Sequence, residues 1–229
     1  MNIVITGASR GIGFSLVNQF VHQGHRVLAV SRNIAPLQDI EAEKHKGLLI
    51  PLRLDLEQTA SVAELHTTVS RHFEHVDVLV NNAGLLINKP FQVLTDDDFD
   101  RLFDVNVKAP FSIIRALESL FAPDSHIVNI GSMGGFQGSA KFSGLSLYSA
   151  SKGALAILTE CLAEELKPRG IKVNCLALGA AQTEMLSEAF PGYHAPVSAD
   201  EMAAYISWFA LNGHRFFNGK ILPVSVSTP

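Results

Sequence analysis

A single α/β domain, a doubly wound parallel sheet flanked by helices on both faces, is the fold class that this sequence predicts. Three observations predict it. Short β-branched runs alternate with helix-period segments along the whole chain. The first run feeds a glycine-rich turn that opens a helix. The clusters of small and polar residues fall just past the carboxyl ends of the runs, where open parallel sheets hold ligands.

At 229 residues the chain is long enough for one sizeable domain spanning 1–229, and no Pro/Gly/Ser-rich linker divides it. With 17% charged residues and a formal net charge of -4, it has no basic stripe for nucleic acid. The opening residues Met1 to Thr6 lack a basic segment followed by a long apolar one, and no apolar run approaches the ~18 residues of a membrane span. A cytoplasmic protein without membrane attachment is expected. Cys161 on a predicted helix and Cys175 in a predicted strand lack metal-ligand spacing and read as packing residues. The nine histidines are scattered, so no metal is expected.

Taken in order, Asn2 to Thr6 is a β-branched run ending in Thr6-Gly7-Ala8-Ser9-Arg10-Gly11-Ile12-Gly13, and Phe14 to Val21 then shows helical periodicity up to Gly24. Glycines are needed where backbone approaches a pyrophosphate closely, and the helix behind them aims unpaired amides and its positive dipole end at the anion. A nucleotide phosphate fits there, although Gly7, Gly11 and Gly13 do not follow the common first, third and sixth spacing. The second strand, Arg26 to Val30, ends in Ser31-Arg32-Asn33. Many dinucleotide folds have an acid here for the adenosine ribose, whereas Arg32 would face a 2′-phosphate in a contact worth about 1.5 to 3 kcal/mol, with Arg10 as a second partner. NADP(H) is therefore expected over NAD(H). A third strand, Leu48 to Leu54, carries Pro51 in its middle and delivers Asp55 and Leu56 at its tip, where a carboxylate can accept from an adenine amino group. A helix from about Thr59 to Phe73 leads to a fourth strand, Val76 to Val80, and to Asn81-Asn82-Ala83-Gly84, small residues that suit a flat ligand.

Thr95-Asp96-Asp97-Asp98 is a capped helix start with acids in the first turn, and the pattern predicts one helix onward to about Leu120. Asn106 lies in its middle, either as a local kink or as a tolerated polar residue. A fifth strand, His126 to Ile130, ends at Gly131-Ser132, where a serine hydroxyl can donate to a substrate carbonyl, and a glycine- and serine-rich loop runs from Met133 to Ser146. The next helix bears Tyr148 and Lys152 and ends near Pro168-Arg169-Gly170. The strand Ile171 to Ala177 follows, and its turn, Leu178 to Glu184, offers Gly179 and Thr183 to a cofactor. Ser187 to Val197 has no period and reads as a loop, part of a short substrate lid at about 184–197. Ser198-Ala199-Asp200-Glu201 is a capping box before the helix Met202 to Leu211, and a strand from Lys220 to Val226 closes the chain.

Tyr148 and Lys152 fall one turn apart on one helix face. Bringing a phenol from pKa ~10 to near 7 requires about 4 kcal/mol of preferential phenolate stabilisation. One ammonium about 4 Å away at an effective dielectric near 20 supplies approximately that. The pair is thus expected to act as an acid/base device at neutral pH.

These motifs, occurring together and in order, closely resemble the short-chain dehydrogenase/reductase family over almost the whole chain, with a general likeness to 3-oxoacyl-carrier-protein reductases and carbonyl reductases. The resemblance implies a Rossmann-type fold. It implies that Tyr148 exchanges the proton with the substrate oxygen, that Ser132 orients that oxygen, and that Lys152 depresses the tyrosine pKa while bonding the nicotinamide ribose. It further implies that Asn106 holds a water linking Lys152 to solvent. By the same likeness Gly7, Ser9, Arg10, Ile12, Arg32, Asp55, Leu56, Asn82, Ala83, Gly84 and Thr183 touch the cofactor, and the chain forms a homodimer or homotetramer. The sequence departs from the family at Leu178, where proline is usual. It departs also in the long Ser132 to Tyr148 gap with Ser139, Ser143 and Ser146, in the short lid, and in Val226 to Pro229, which lacks the usual glycine pair.

The leading functional expectation is NADPH-dependent reduction of a ketone or aldehyde, a 3-oxoacyl thioester included. The alternatives are a non-catalytic NADP-binding regulator or scaffold and an NAD-linked alcohol dehydrogenase. Arg32 and the missing acid at the second strand's tip weigh against the last.

Overall fold

Strand β1 (Asn2–Thr6) leads into helix α1 (Gly11–His22), and the alternation continues through β2 (Arg26–Ser31), α2 (Ala35–Glu43), β3 (Leu49–Arg53), α3 (Ser61–His72) and β4 (Val76–Asn81) in a computed structural model that describes residues 1–43, 47–58 and 61–226. Then come α4 (Asp96–Phe103), a π-helical turn (Asp104–Lys108), α5 (Ala109–Leu117), β5 (Phe121–Ser132), α6 (Ser146–Glu165) and β6 (Lys172–Leu178). A short pair, β7 (Ala181–Gln182) and β8 (Val197–Ser198), brackets α7 (Glu184–Ala189), and α8 (Ala199–Asn212) precedes β9 (Ile221–Val224).

Seven strands form one sheet in the order β3-β2-β1-β4-β5-β6-β9, parallel throughout. From β1 the chain winds outward to β3, then returns across β1 to begin β4, so the connections leave β1 and β4 in opposite directions. That reversal opens a crevice at the carboxyl edge. Strand periodicity sorts the core into two layers. Ile3 and Ile5 of β1 pack with Leu16 and Phe20 of α1 and Phe209 of α8, whereas Val4 between them packs with Leu65 of α3 and Ile113 of α5 on the opposite face. Both layers are apolar because the sheet is covered on both sides. Pro51 and Pro223 occupy the two outermost strands, β3 and β9, where a missing amide donor is tolerated.

Four elements differ from expectation. Asn33 Oδ1 accepts from Ala35 N at 3.1 Å and starts α2, a short helix that periodicity does not mark. The helix expected from Thr95 to about Leu120 is interrupted by the π turn containing Asn106, with Pro110 at the start of α5. β5 begins at Phe121 rather than His126, through an irregular stretch in which Asp124 takes φ +66°. Half of the expected lid is helical, because Thr183 Oγ1 caps α7 by accepting from Leu186 N at 3.2 Å. The capping box of α8 forms as expected, with Ser198 and Glu201 bonded reciprocally. Residues 59–60, at the expected start of α3, and Ser227 to Pro229, where the glycine pair is missing, lie outside the described residues.

Candidate active site

The turn after β1 is shaped by contacts that only glycine permits. Gly7 has φ +67°, and a Cβ there would stand 2.7 Å from Ala83 Cα, so the turn lies directly against the β4 tip. A Cβ on Gly13 would run into the Gly7 carbonyl. The two tips are also bonded: Asn82 Nδ2 donates to Thr6 O at 3.1 Å and Gly7 O at 3.0 Å, and Ala83 N donates to Thr6 Oγ1 at 3.0 Å. Ser31 Oγ donates to Ser9 Oγ at 2.6 Å and joins the β2 tip to the same turn. Arg10 precedes α1 without a side-chain cap, which leaves the first amides of the helix to whatever lies in front of them.

In front of them is a cavity of about 770 Å³. Its walls include every residue that the sequence nominated for catalysis or cofactor contact except Asn106, from Gly7 to Thr183. They also include Glu57, Leu178 and Ser225. Ser225 is invisible to motif reasoning because its role is steric: a Cβ on Gly179 would collide with its side chain.

The acid/base groups meet at the far end. Tyr148 on α6 is hydrogen-bonded to Ser132 at the β5 tip, and Ser132 Oγ also accepts from Gly134 N at 3.2 Å. Ser139, an alternative orienting serine by sequence, is bonded instead to the Met133 and Phe136 carbonyls of its own loop. Lys152 is 4% exposed, and its Nζ donates to Ile130 O at 2.8 Å. Lys152 was expected to acidify the phenol. Burial raises the Tyr148 phenol above its ordinary value, the Ser132 hydrogen bond opposes that rise, and Lys152 is not among the groups that shift it. Burial also lowers the Lys152 amine, to about 8. One helical turn does bring the two residues onto one face and both line the cavity, with the lysine amine anchored to a sheet carbonyl.

Asn106, fully buried, explains the π turn. Its Nδ2 donates to Leu85 O at 2.9 Å and Ser151 Oγ at 3.0 Å, and its Oδ1 accepts from Leu85 N at 2.8 Å. Ser151 Oγ donates onward to Tyr148 O at 2.7 Å, which ties the π turn to the helix carrying the phenol. A Cβ on Gly84 would stand 3.4 Å from both Asn106 Oδ1 and Lys152 Nζ, so the three converge on one spot.

Both arginines nominated for a 2′-phosphate have carboxylate partners that the sequence did not reveal. Arg32 Nη1 lies 3.5 Å from Glu57 Oε1, whose other oxygen is 3.9 Å from Arg101 Nε. Arg10 Nη1 lies 2.8 Å from Glu188 Oε1 and so fastens α7 to the glycine turn. Asn88 Nδ2 donates to Ala189 O at 2.9 Å and fixes the other end of α7 to the loop after β4. Asp55 Oδ1 accepts from Glu57 N at 3.2 Å, which folds the β3 tip toward the cavity. Of the two cysteines expected to be packing residues, Cys175 is buried but Cys161 is exposed. Among the described residues no group of His, Cys, Asp and Glu can hold a metal ion, and no helix is long and apolar enough to cross a membrane.

The model of the family described as short chain dehydrogenase matches residues 1–194. A 3-oxoacyl-[acyl-carrier-protein] reductase of Salmonella typhimurium is 29% identical over 237 residues, which cover 97% of this chain and 94% of the relative. An uncharacterised short-chain type dehydrogenase/reductase of Sinorhizobium fredii is 31% identical over 97% of this chain, which spans 42% of that protein's length. Among solved structures, 4-hydroxyisoleucine dehydrogenase complexed with NADH superimposes with a TM-score of 0.86 at 27% identity, covering 98% of this chain and 96% of the other. A short chain dehydrogenase of Burkholderia cenocepacia in complex with NADP does so with a TM-score of 0.85 at 30% identity, covering 97% and 95%.

Proposed function

The chain belongs to the short-chain dehydrogenase family, and from that premise we propose that it uses NADPH to reduce a ketone or aldehyde, a 3-oxoacyl thioester included, with Tyr148 as the proton donor. The observation that carries this reading is a protonated phenol bonded to Ser132 at one end of a cavity whose other end is a glycine turn and an uncapped helix start. The residues present fit a nicotinamide dinucleotide: the α1 amides suit its pyrophosphate, and Asp55 and Leu56 suit its adenine. Bound there, the cofactor supplies the hydride that adds to the carbonyl carbon. Tyr148 releases its proton to the carbonyl oxygen, and Ser132 holds that oxygen in place by hydrogen bonding. A phenol raised by burial is fully protonated at neutral pH, which suits the reduction direction. Lys152, with its amine lowered to about 8, sits one turn away as a group able to exchange protons near neutrality.

We read 1–229 as one domain with 184–197 as its lid, acting in the cytoplasm as a homodimer or homotetramer. The exposed apolar residues Phe111 and Ile157 on α5 and α6 support assembly. One observation favours NAD-linked chemistry as a second reading: Arg32 and Arg10 are each already neutralised by a carboxylate. Replacing Arg32→Asp separates the two. NADPH preference resting on Arg32 shifts about ten- to hundredfold toward NADH. An unchanged ratio of kcat/KM for the two cofactors removes Arg32 from the reading. A non-catalytic binder would hold the cofactor tightly and leave it unoxidised whatever carbonyl compound is supplied.

A further inference from the structure

We infer that the substrate is an uncharged carbonyl compound with an apolar flank. This rests on the reductase reading above and narrows it to a chemical class. The cavity has two unlike ends. Arg10, Arg32, Asp55 and Glu57 line it along the glycine turn and the β2 and β3 tips, and Glu184 stands beside Gly11 at that same end. The end bearing Tyr148 is enclosed by three segments that bond to one another. Asn88 Nδ2 donates to Ala189 O at 2.9 Å, and Lys89 N donates to Gly144 O at 3.0 Å, which joins the loop after β4 to the end of α7 and to the loop before α6. Those segments contribute Leu86, Met133, Phe142, Leu145, Phe190 and Tyr193 to the wall.

Among the described residues lining this end, the sole charged side chain is Lys152, which is buried and bonded to Ile130 O. Two hydroxyls, Ser132 and Tyr148, are hydrogen-bonded to each other there and so lie close enough to serve a single oxygen. At the rim, Phe142 is 47% and Tyr193 49% exposed, apolar rings in water at the place a bound apolar group would cover them. A carboxylate or phosphate in this end would lose its hydration with no cation to meet it except the buried Lys152 ammonium, which is already bonded to Ile130 O. An extra hydroxyl of a polyol placed against the Leu86, Met133, Leu145 and Phe190 wall would likewise go unpartnered, weakening binding about ten- to hundredfold.

The test uses matched ketones with the purified full-length chain and NADPH, with NADH in parallel. Methyl para-acetylbenzoate and para-acetylbenzoate differ by one negative charge, and acetophenone and dihydroxyacetone differ in ring against hydroxyls. The ester and acetophenone are expected to exceed their polar counterparts by about a hundredfold in kcat/KM. Phe142→Arg, which places a cation at the exposed rim, is expected to raise turnover of the acid about tenfold and lower that of the ester. Equal or better reduction of the acid or of dihydroxyacetone by the native chain overturns the inference. Calorimetric titration in saturating nicotinamide cofactor separates this inference from the reductase reading. Binding of the ester but not the acid, without turnover, upholds the apolar site and defeats the reductase. Failure of the ester and acetophenone to bind defeats the apolar site itself.

Discussion

Protonating His126 should destabilise this protein from within. The ring is 1% exposed on β5, with Nδ1 at 3.0 Å from Ala210 O and Nε2 at 3.0 Å from Asn174 Nδ2. The Asn174 amide is oriented by two further bonds, from its Nδ2 to Phe217 O and from Lys220 N to its Oδ1, so it can only donate to the imidazole. One neutral tautomer satisfies both contacts, with Nδ1–H donating and Nε2 accepting. A second ring proton would face an N–H, and burial holds the pKa down at about 4 against the ordinary 6.5. Between those values the unfolded chain carries a proton that the folded chain refuses, so stability is fully present above 6.5 and is lost as pH falls toward 4. At ~1.4 kcal/mol per unit, the loss across that window is about 3 kcal/mol. His214, with its ring centre 5.6 Å away and its pKa also lowered by burial, adds to the loss in the same direction. The assay is urea unfolding at half-unit pH steps through the window, on the native chain and on His126→Gln, whose amide can keep both bonds. The variant is expected to show a flatter dependence by up to ~1.4 kcal/mol per pH unit. Parallel curves would refute the neutral-histidine account.

Tyr148→Phe should lower kcat/KM about 10²- to 10⁴-fold while leaving the cofactor dissociation constant unchanged, read by steady-state kinetics and calorimetry. Asn106→Ala strands the Leu85 backbone groups in the interior and should cost about 3 kcal/mol in chemical denaturation; a loss within the noise would show that the π turn stands without it. Glu57→Gln frees Arg32 from its carboxylate. The pair is partly exposed, so the gain should be no more than ~1 kcal/mol, seen as up to about fivefold tighter NADPH binding with NADH unaffected.

Sequence was a good guide wherever a local rule governs the outcome. Strand runs, the glycine turn, the caps at Thr95 and Ser198 and the order of the motifs all follow from neighbours in the chain. It was a poor guide where the deciding partner is remote. Arg10 meets Glu188 and Arg32 meets Glu57 only after the chain has folded, so their charge alone predicted free phosphate ligands. Lys152 was read from helical spacing, which fixes the face but not how deep the ammonium reaches or which carbonyl it finds. At Asn106 the sequence left a kink and a tolerated polar residue both open, because its two bonds to Leu85, in the loop after β4, and its one to Ser151 form only in the folded chain. Helix α2 escaped notice because its short sequence has little periodicity.

The bonding parity of the two outer strands bears on how copies of this molecule can meet. Val27 N donates to Leu48 O and Leu54 N to Ser31 O, so the even-numbered residues of β3 turn their backbone groups inward and Pro51 faces out. At the other border, Cys175 N donates to Lys220 O and Gly179 N to Val224 O, which turns Pro223 outward on β9. Each border thus presents a pyrrolidine ring where an incoming strand would seek an amide hydrogen. Edge-to-edge growth of the sheet is interrupted on both flanks, and contact between molecules is left to helices and loops.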